Sequence, residues 1–325
     1  MHSFFGFLFF SLSITCNSLS FTLGPEQIQP YPSPHPYQFP DAAFSVLDSL
    51  SSNTTRLMFW SDGTTFRVEG PGFFPSNTPI PLTPVLSTGP KGSYDANGNW
   101  MLATFRLNGT NIVGFTHVEN HGFNCPGNYA EWNAGAVVLS NDDGYTWSRS
   151  GLAISDPQPC IPTFGGMGYS SIIHNGTNFL GFGGCTGFIS NDPSGSSGSW
   201  YRYKNGSFLS PGINGTSDCL PGVPANVCCP IVHYNSFLNK FIMIYDLWGK
   251  GGTLYISTSS DGINWGESSI LLQAAVNRSI AYGQVIGDHN NSVAGQVAIL
   301  AYAAAPPVGN EPRDFIYRTI TFLNQ

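Results

Sequence analysis

Two stretches of the sequence share one pattern: "LSNDDGYTW" at residues 139 to 147 and "STSSDGINW" at residues 257 to 265. In each, the aspartate can bond backbone N–H groups of a tight turn, and the glycine after it can adopt the positive φ that such a turn needs. The tryptophan three residues later can then pack between neighbouring sheets. The residues concerned are Asp143, Gly144 and Trp147 in the first copy and Asp261, Gly262 and Trp265 in the second.

The sequence around the first copy has the pattern of four short strands. They are "GSYDANGNWMLATF" from residue 92, "TNIVGFTHVEN" from residue 110, "AGAVVLSNDDGYTW" from residue 134 and "SRSGLAIS" from residue 148. Similar units precede and follow, five in all, and a repeated unit of about 60 residues with four strands is typical of a propeller. The sequence therefore predicts an all-β fold, a five-bladed β-propeller of four-stranded antiparallel blades over residues 41–325.

The chain ahead of the propeller has two parts. Residues 1–20 have an apolar stretch followed by small residues, the layout of a secretory signal peptide. Residues 21–40 are proline-rich and are expected to be extended. We therefore expect a secreted, extracellular protein.

Cysteines and glycosylation sequons fit that location. Removing residues 1–20 leaves six cysteines, an even number that suggests disulfides. The prediction is Cys125 with Cys160, and Cys185 and Cys219 with Cys228 and Cys229 in an order left open. Seven Asn-x-Ser/Thr sequons also fit a glycoprotein; they begin at Asn53, Asn108, Asn175, Asn205, Asn214, Asn277 and Asn290.

Composition excludes several classes of partner. Only 10% of the residues are charged, and the net charge is −7 without a basic cluster. This composition argues against nucleic acid and anionic membranes as partners, and no later apolar segment reaches membrane-spanning length. We expect a monomer without a cofactor, with a structural calcium ion left open.

Blade geometry predicts which residues share the functional face. The turns between third and fourth strands lie on one face of a propeller. The starts of the inner strands and the turns between second and third strands lie on the other, which we call the site face. The polar and aromatic candidates there are Asp41, Asp62, Asp95, His117, Glu119, His121, Tyr169, Ser170, Asp246, Trp248, Arg278 and Gln284.

Two resemblances to known families rest on these motifs. The first turn resembles the Asp-box of sialidases and related propellers, matching Ser-x-Asp-x-Gly-x-Thr-Trp from Ser140 to Trp147, whereas the second copy has Ser260 in place of the first aspartate. The whole chain resembles the five-bladed propeller glycoside hydrolases, a group that includes arabinanases, xylosidases and invertases. The motif "FPDAAFSVL" implies a catalytic base or nucleophile at Asp41, and "GSYDANGNW" implies a carboxylate at Asp95 that tunes the site.

One feature of that family is missing. The start of blade three, "MGYSSII", has no glutamate where the pattern places the acid. We expect Glu119 to serve instead, since glycoside cleavage needs one carboxyl group to protonate the leaving oxygen and another to activate water or attack the sugar. Burial beside Phe115 and Phe123 would raise the pKa of Glu119, and His117 or His121 would hold it in place.

Other interpretations remain open at this stage. Asp41 and Asp95 could instead hold turns, His117 and His121 could bind a metal ion, and Asp246 with Trp248 could either contact a sugar or end a strand. Tyr169, Arg278 and Gln284 are expected to contact substrate. The predicted function is glycoside hydrolysis of an oligo- or polysaccharide; the alternatives are a glycan-binding propeller without activity and a sialidase, which would need an arginine cluster around Arg278.

Overall fold

The strands of the protein form five sheets. The computed structural model describes residues 19–29, 41–51, 54–71, 82–121, 131–156, 164–248, 251–275, 278–305 and 313–324, so most of the expected signal peptide lies outside the described residues. Within these ranges the chain forms 24 strands and no helix. Consecutive inner strands contact one another around a ring. The predicted all-β, five-bladed propeller is confirmed.

Two short strands precede the first blade: β1 (Phe21–Leu23) and β2 (Gln27–Ile28). Blade one contains β3 (Ser45–Asp48), β4 (Thr55–Ser61), β5 (Thr65–Pro71) and β6 (Thr83–Leu86). Blade two contains β7 (Gly98–Asn108), β8 (Asn111–His121), β9 (Glu131–Ser140) and β10 (Ser148–Ser155), and β11 (Phe164–Met167) pairs in parallel with β9.

Blade three contains β12 (Ser171–His174), β13 (Phe179–Gly183), β14 (Thr186–Ser190), β15 (Trp200–Lys204) and β16 (Ser207–Pro211). Blade four contains β17 (Val227–Asn235), β18 (Lys240–Leu247), β19 (Thr253–Ser259) and β20 (Ser269–Gln273). The last part of the chain forms β21 (Ser279–Ile286), β22 (Val293–Ala294), which pairs with β17, β23 (Val297–Ala305) and β24 (Asp314–Phe322).

The hydrophobic core lies between the blades. One cluster, for example, joins Phe115 of blade two to Phe179 and Trp200 of blade three, and four others join the remaining pairs of consecutive blades. A strand in such a blade is covered on both faces, so its sequence is nearly continuously apolar rather than alternating. The run "WMLA" of β7 is buried throughout for this reason.

The fifth blade is completed by the start of the chain. Strand β1 pairs antiparallel with β24, with Phe21 opposite Phe322, so the sheet order is β1, β24, β23, β21. The segment that the sequence analysis placed before the propeller thus supplies its last outer strand. Gln284 closes the ring between blades five and one, because its amide accepts from Phe44 N (3.0 Å) and donates to Phe44 O (2.7 Å).

The repeated turns have the expected role with one correction. Asp261 accepts from the backbone N–H groups of Ile263 and Asn264, both at 2.8 Å, as predicted. In the first copy the residue that does this is Asp142, which accepts from Thr146 N at 2.9 Å. Asp143 instead forms ion pairs with Arg67 and Arg106. The prediction for Asp143 is wrong. The first copy has one more residue between its serine and its glycine than the second copy has, and the aspartate two residues after the serine, Asp142 or Asp261, is the one that bonds the backbone.

The glycines and tryptophans of these turns behave as predicted. Gly144 and Gly262 have φ values of 82° and 75°. Trp147 packs edge-on against Phe59 of blade one, and Trp265 packs against Phe182 of blade three. A third turn of this kind, not recognised from the sequence, follows β14, where Asp192 accepts from the N–H groups of Ser194 and Ser196.

The disulfide prediction is partly wrong. Cys185 and Cys219 are bonded to each other, and Cys228 and Cys229 are free thiols. Cys185 lies in the turn after β13, beside the segment that follows β16, where Leu220 N donates to Cys185 O at 2.7 Å. Cys228 and Cys229 instead belong to the inner strand β17. Cys125 and Cys160 lie outside the described residues.

Candidate functional site

Asp41 precedes β3 and forms the centre of the candidate site. Its side chain is only 14% exposed and is bonded to the Arg313 guanidinium. Trp100 Nε1 donates to its Oδ2 at 3.2 Å, and the Tyr282 hydroxyl donates to its Oδ1 at 3.4 Å. Burial is the largest single cause that raises the pKa of Asp41, and the charge and hydrogen bond of Arg313 act in the opposite direction. Asp41 is therefore a partly buried carboxylate with a cation on one oxygen.

Glu119 lies near the end of β8, between two histidines in the sequence. Its Oε1 lies 3.2 Å from His117 Nε2, and its Oε2 lies 2.8 Å from His121 Nε2. Burial would raise the pKa of Glu119, but the hydrogen bonds and charges of the two histidines together lower it to about 2. The expectation of a raised pKa at Glu119 is therefore wrong. The effect of the two histidines on the pKa of Glu119 is larger than the effect of burial. Phe123, one of the two phenylalanines expected beside Glu119, lies outside the described residues.

Glu119 favours the protonated form of both neighbouring histidines. Burial opposes protonation of His117, but Glu119 raises its pKa, and the hydrogen bond to Glu119 raises the pKa of His121. His117 also packs edge-on against Trp100, with ring centroids 5.6 Å apart. Glu119 thus bonds His117, which packs against the Trp100 indole, and this indole donates to Asp41.

A possible ligand set for a cation includes part of this cluster. Single ligand atoms of Glu119, His121 and Glu131 all lie within 4.8 Å of one another. Burial and the charge of Glu119 raise the pKa of Glu131. The sequence suggested His117 and His121 as a pair of metal ligands. Of these two histidines, only His121 belongs to this set.

Asp246 and Asp62 retain a proton to a higher pH than an ordinary aspartate does. Asp246 lies near the end of β18, and burial raises its pKa to about 6. One of its oxygens, Oδ1, is buried without a hydrogen-bond partner among the described residues, and the Cys228 thiol donates to the side chain. Asp62 follows β4, and burial raises its pKa also to about 6.

Electrostatic effects show that these groups lie near one another. The charge of Glu119 raises the pKa of Asp41. The charge of Asp41 in turn raises the pKa of Asp62. Asp41 and Asp246 both act on the thiol of Cys229. Three blades, the first, second and fourth, therefore contribute acidic or thiol groups to one end of the ring, the site face.

Asp95 has a different environment from the other predicted acids. Its side chain is completely buried, and it accepts from Ser93 Oγ at 2.8 Å, Asn99 Nδ2 at 2.8 Å and Arg149 Nε at 2.5 Å. Ser93 and Asn99 flank the turn before β7, and Arg149 belongs to the outer strand β10. These contacts fit the alternative in which Asp95 holds a turn.

The remaining predicted residues divide between the rim and the core. Trp248 is 64% exposed beside the Asp246 strand end, as a sugar-contacting residue would be. Tyr169 is 2% exposed within the core between blades two and three, and Gln284 is fully buried at the ring closure, so neither side chain faces solvent. Ser170 N donates to Phe182 O. Arg278 forms ion pairs with Asp314 (2.9 Å) and Glu26 (3.7 Å).

Three residues in contact with Asp41 were not predicted from the sequence. Arg313 comes immediately before β24, and therefore at a second-to-third-strand turn, a position that the blade rule assigns to the site face. Trp100 was visible only as part of a strand. Tyr282 has a φ of 56° at a bulge in β21, and no signal in the sequence reveals such a conformation in a tyrosine.

Two cavities open on the face opposite the candidate site. One of about 380 Å³ includes Phe105, His174 and Phe179 in its lining, and one of about 510 Å³ includes Asn108 and Trp147. Neither lining contains a carboxylate. The cluster of titratable groups on the site face therefore lies outside both cavities.

The comparisons with known proteins define the class of fold. No protein-family model matches the chain, and no curated protein matches it in sequence. A family 117 glycoside hydrolase from Zobellia galactanivorans is similar in structure, with a TM-score of 0.55 at 11% identity over 94% of this chain and 90% of its own. The catalytic domain of a Coprinopsis cinerea family 62 α-L-arabinofuranosidase gives 0.50 at 13% identity, over 94% and 98%.

An exo-β-1,3-galactanase from Phanerochaete chrysosporium is also similar. Its TM-score is 0.54 at 11% identity, and the match covers 92% of this chain and 64% of the galactanase. This chain thus spans less than two thirds of that enzyme. The protein has the fold of the five-bladed propeller glycoside hydrolases, as the sequence resemblance implied.

Proposed function

We propose that the protein is a glycoside hydrolase in which Asp41 is the base or nucleophile and Asp246 is the proton donor. The observation that carries this proposal is the contrast between two carboxyl groups on the site face. Asp41 is bonded to a guanidinium, whereas Asp246 has a pKa of about 6 and a buried oxygen without a partner among the described residues. Glycoside cleavage needs one carboxyl group that acts as base or nucleophile and a second that donates a proton to the leaving oxygen.

Each group is suited to one half of the reaction. Arg313 favours the anionic form of Asp41, which must attack the sugar carbon or take a proton from water. Trp100 and Tyr282 fix its orientation by donating to its two oxygens. Asp246 can hold a proton near neutral pH and deliver it to the leaving oxygen, and Trp248 beside it offers an exposed ring to a sugar.

Glu119 then has a positioning role. Its low pKa makes it a poor proton donor, and its contacts lead through His117 and Trp100 to Asp41. Glu119 therefore does not take the part of the acid that the family pattern places in blade three. Asp95 has a structural role in this proposal, which its hydrogen bonds to Asn99 and Arg149 support.

The substrate class is an oligo- or polysaccharide outside the cell. One structural neighbour is described as an exo-β-1,3-galactanase and one as an α-L-arabinofuranosidase, so β-1,3-galactan and arabinofuranosides are the first substrates to test. The disulfide between Cys185 and Cys219 supports secretion, because such bonds persist in oxidising compartments. No helix long and apolar enough to cross a membrane occurs in the described ranges.

The experiment compares hydrolysis with binding. Reducing-sugar release from a panel of plant and fungal polysaccharides is measured for the native protein and for Asp41→Asn, and both are applied to a glycan array. We expect hydrolysis by the native protein alone and glycan binding by both. Binding by both without hydrolysis by either would contradict the proposal and favour a glycan-binding propeller. The sialidase alternative has little support, since Arg278 is already paired with Asp314 and Glu26.

A further inference from the structure

Cys228 and Cys229 form a pair of adjacent thiols on the site face. Cys228 is buried and Cys229 is partly buried. A hydrogen bond joins their side chains. The two sulfurs and a carboxylate oxygen of Asp246 all lie within 4.8 Å of one another. The thiols therefore contact both each other and the proposed proton donor.

The backbone explains why two consecutive side chains lie together on an inner strand. Cys229 has a φ of 52°, and the pairing of β17 with β18 is interrupted by a bulge between Cys228 and Ile231. In a regular strand, consecutive side chains point to opposite faces. A left-handed conformation in a residue other than glycine costs free energy, and such residues cluster at functional sites.

We propose that Cys228 and Cys229 are a redox-active pair that closes to a disulfide between adjacent residues and so controls Asp246. The oxidant is a small aliphatic disulfide from solution. Asp246 takes the proton of Cys228, whose thiolate attacks one sulfur of that disulfide, and the displaced thiolate leaves with a proton. Cys229 then loses its proton and attacks the Cys228 sulfur, which releases the second thiol. Two protein thiols are oxidised, and one external disulfide is reduced to two thiols.

This bond is expected to be more easily reduced than the other disulfide. Adjacent Cα atoms are about 3.8 Å apart, which is below the usual span for a disulfide of about 4.4 to 6.8 Å. The Cα atoms of Cys185 and Cys219 are 4.7 Å apart and fall within that span. Strained disulfides have the more oxidising potentials and are the ones that open and close reversibly.

Closure changes the surroundings of Asp246. The Cys228 thiol donates to the Asp246 carboxylate and stabilises its charged form. A disulfide has no S–H group, so this donor is lost and the pKa of Asp246 rises. This consequence rests on the proposed function, whereas the disulfide itself does not.

A metal ion is a less favoured occupant of the same three groups. Cysteine binds metals as a thiolate. The hydrogen bond with Cys228, together with burial and the nearby carboxylates, raises the pKa of Cys229 well above its usual value. This disfavours the permanent thiolate that a metal ligand requires, whereas disulfide exchange needs the thiolate only transiently. Zinc binding is therefore an outcome of the test and not the proposal.

The covalent step is tested on the full chain by mass spectrometry. The protein is equilibrated in glutathione buffers of graded ratio, quenched with iodoacetamide and mapped by peptide. We expect the peptide containing Cys228 and Cys229 to be unalkylated and about 2 Da lighter than its reduced form in oxidising buffer, and to open before Cys185–Cys219. Alkylation of both thiols throughout, a bridge from either to another cysteine, or protection by stoichiometric zinc would overturn the proposal.

The effect on Asp246 is tested with two variants of one residue. Cys228→Ser keeps a donor but cannot close, and Cys228→Ala removes the donor. We expect the alkaline limb of the pH–rate profile to lie about 0.5 to 1 pH unit higher for the oxidised native protein and Cys228→Ala than for the reduced protein and Cys228→Ser. If oxidation moved the alkaline limb of Cys228→Ser as far as it moves that of the native protein, disulfide closure would not be what controls Asp246. Absence of hydrolysis in every state would count against the proposed function and leave the mass result intact.

Discussion

At the scale of single residues, Asp246 and Asp62 have the same raised pKa but different proposed roles. A proton donor must be protonated, so activity is expected to fall as the pH rises through about 6, the pKa of Asp246. The pH dependence of kcat/KM measures this limb. Asp62→Asn is the matched control, since the pKa of Asp62 is also about 6. The limb should persist in Asp62→Asn, and its disappearance there would identify Asp62 as the donor.

Glu119→Gln distinguishes a positioning role from proton donation. The charge of Glu119 raises the pKa of Asp41, so its removal should let Asp41 ionise at lower pH and move the acidic limb of the profile downward. We expect kcat/KM to fall about 10- to 100-fold, because Trp100 and Asp41 lose support but remain present. Near-complete loss of activity at every pH would restore Glu119 as the proton donor.

The sequence predicted the location of the acids better than their chemistry. The motif before β3 and the rim position of β8 were sufficient to place Asp41 and Glu119 on the site face. The low pKa of Glu119 depends on both neighbouring imidazoles pointing at its oxygens, which their spacing does not specify. The enclosure of Asp95 by Arg149 depends on the pairing of two strands far apart in sequence.

At the scale of elements, the first repeated turn depends on Asp142. Its carboxylate accepts from Thr146 N (2.9 Å), Thr146 Oγ1 (2.6 Å) and Ser140 Oγ (2.8 Å). Asp142→Ala should lower the free energy of unfolding by about 1 to 2 kcal/mol, measured by urea denaturation. The exposed neighbour Asn141→Ala should change it by less than about 0.5 kcal/mol. Equal effects would show that the carboxylate does not stabilise the turn.

Asp143→Ala is also expected to destabilise the protein, but for a different reason. Asp143 pairs with Arg67 of blade one and Arg106 of blade two, so its removal weakens the contact between blades. The Asp-Gly-x-x-Trp spacing predicted the turn and its position. It could not show which of two consecutive aspartates faces the backbone, because that depends on a φ of 60° at Asp143.

At the scale of the whole molecule, Gln284 tests how the ring is closed. It is fully buried and satisfies both the N–H and the C=O of Phe44 at the junction of blades five and one. Gln284→Ala should cost about 2 kcal/mol or more, since buried backbone groups would lose partners. The exposed Gln296→Ala is the control. The melting temperature should fall only for Gln284→Ala, while the pH dependence of activity is retained; unchanged stability would contradict this account of closure.

The number and type of blades were predictable, whereas the closure was not. Five repeats of apolar runs, each ending in turn residues, specify five sheets whose strands are buried on both faces. Strand β1 has only three residues and pairs with β24 at the other end of the chain. A strand this short has no periodicity to read, and its partner is selected by the edge that the fifth blade leaves open.

The most direct test of the central claim compares two leaving groups in Asp246→Asn. A proton donor matters when the leaving oxygen is basic and matters little when it is acidic. With an oligosaccharide substrate we expect kcat/KM to fall more than about 100-fold relative to the native protein, and with the matching dinitrophenyl glycoside less than about tenfold. An equal loss on both substrates would contradict proton donation by Asp246 at the mouth of this propeller.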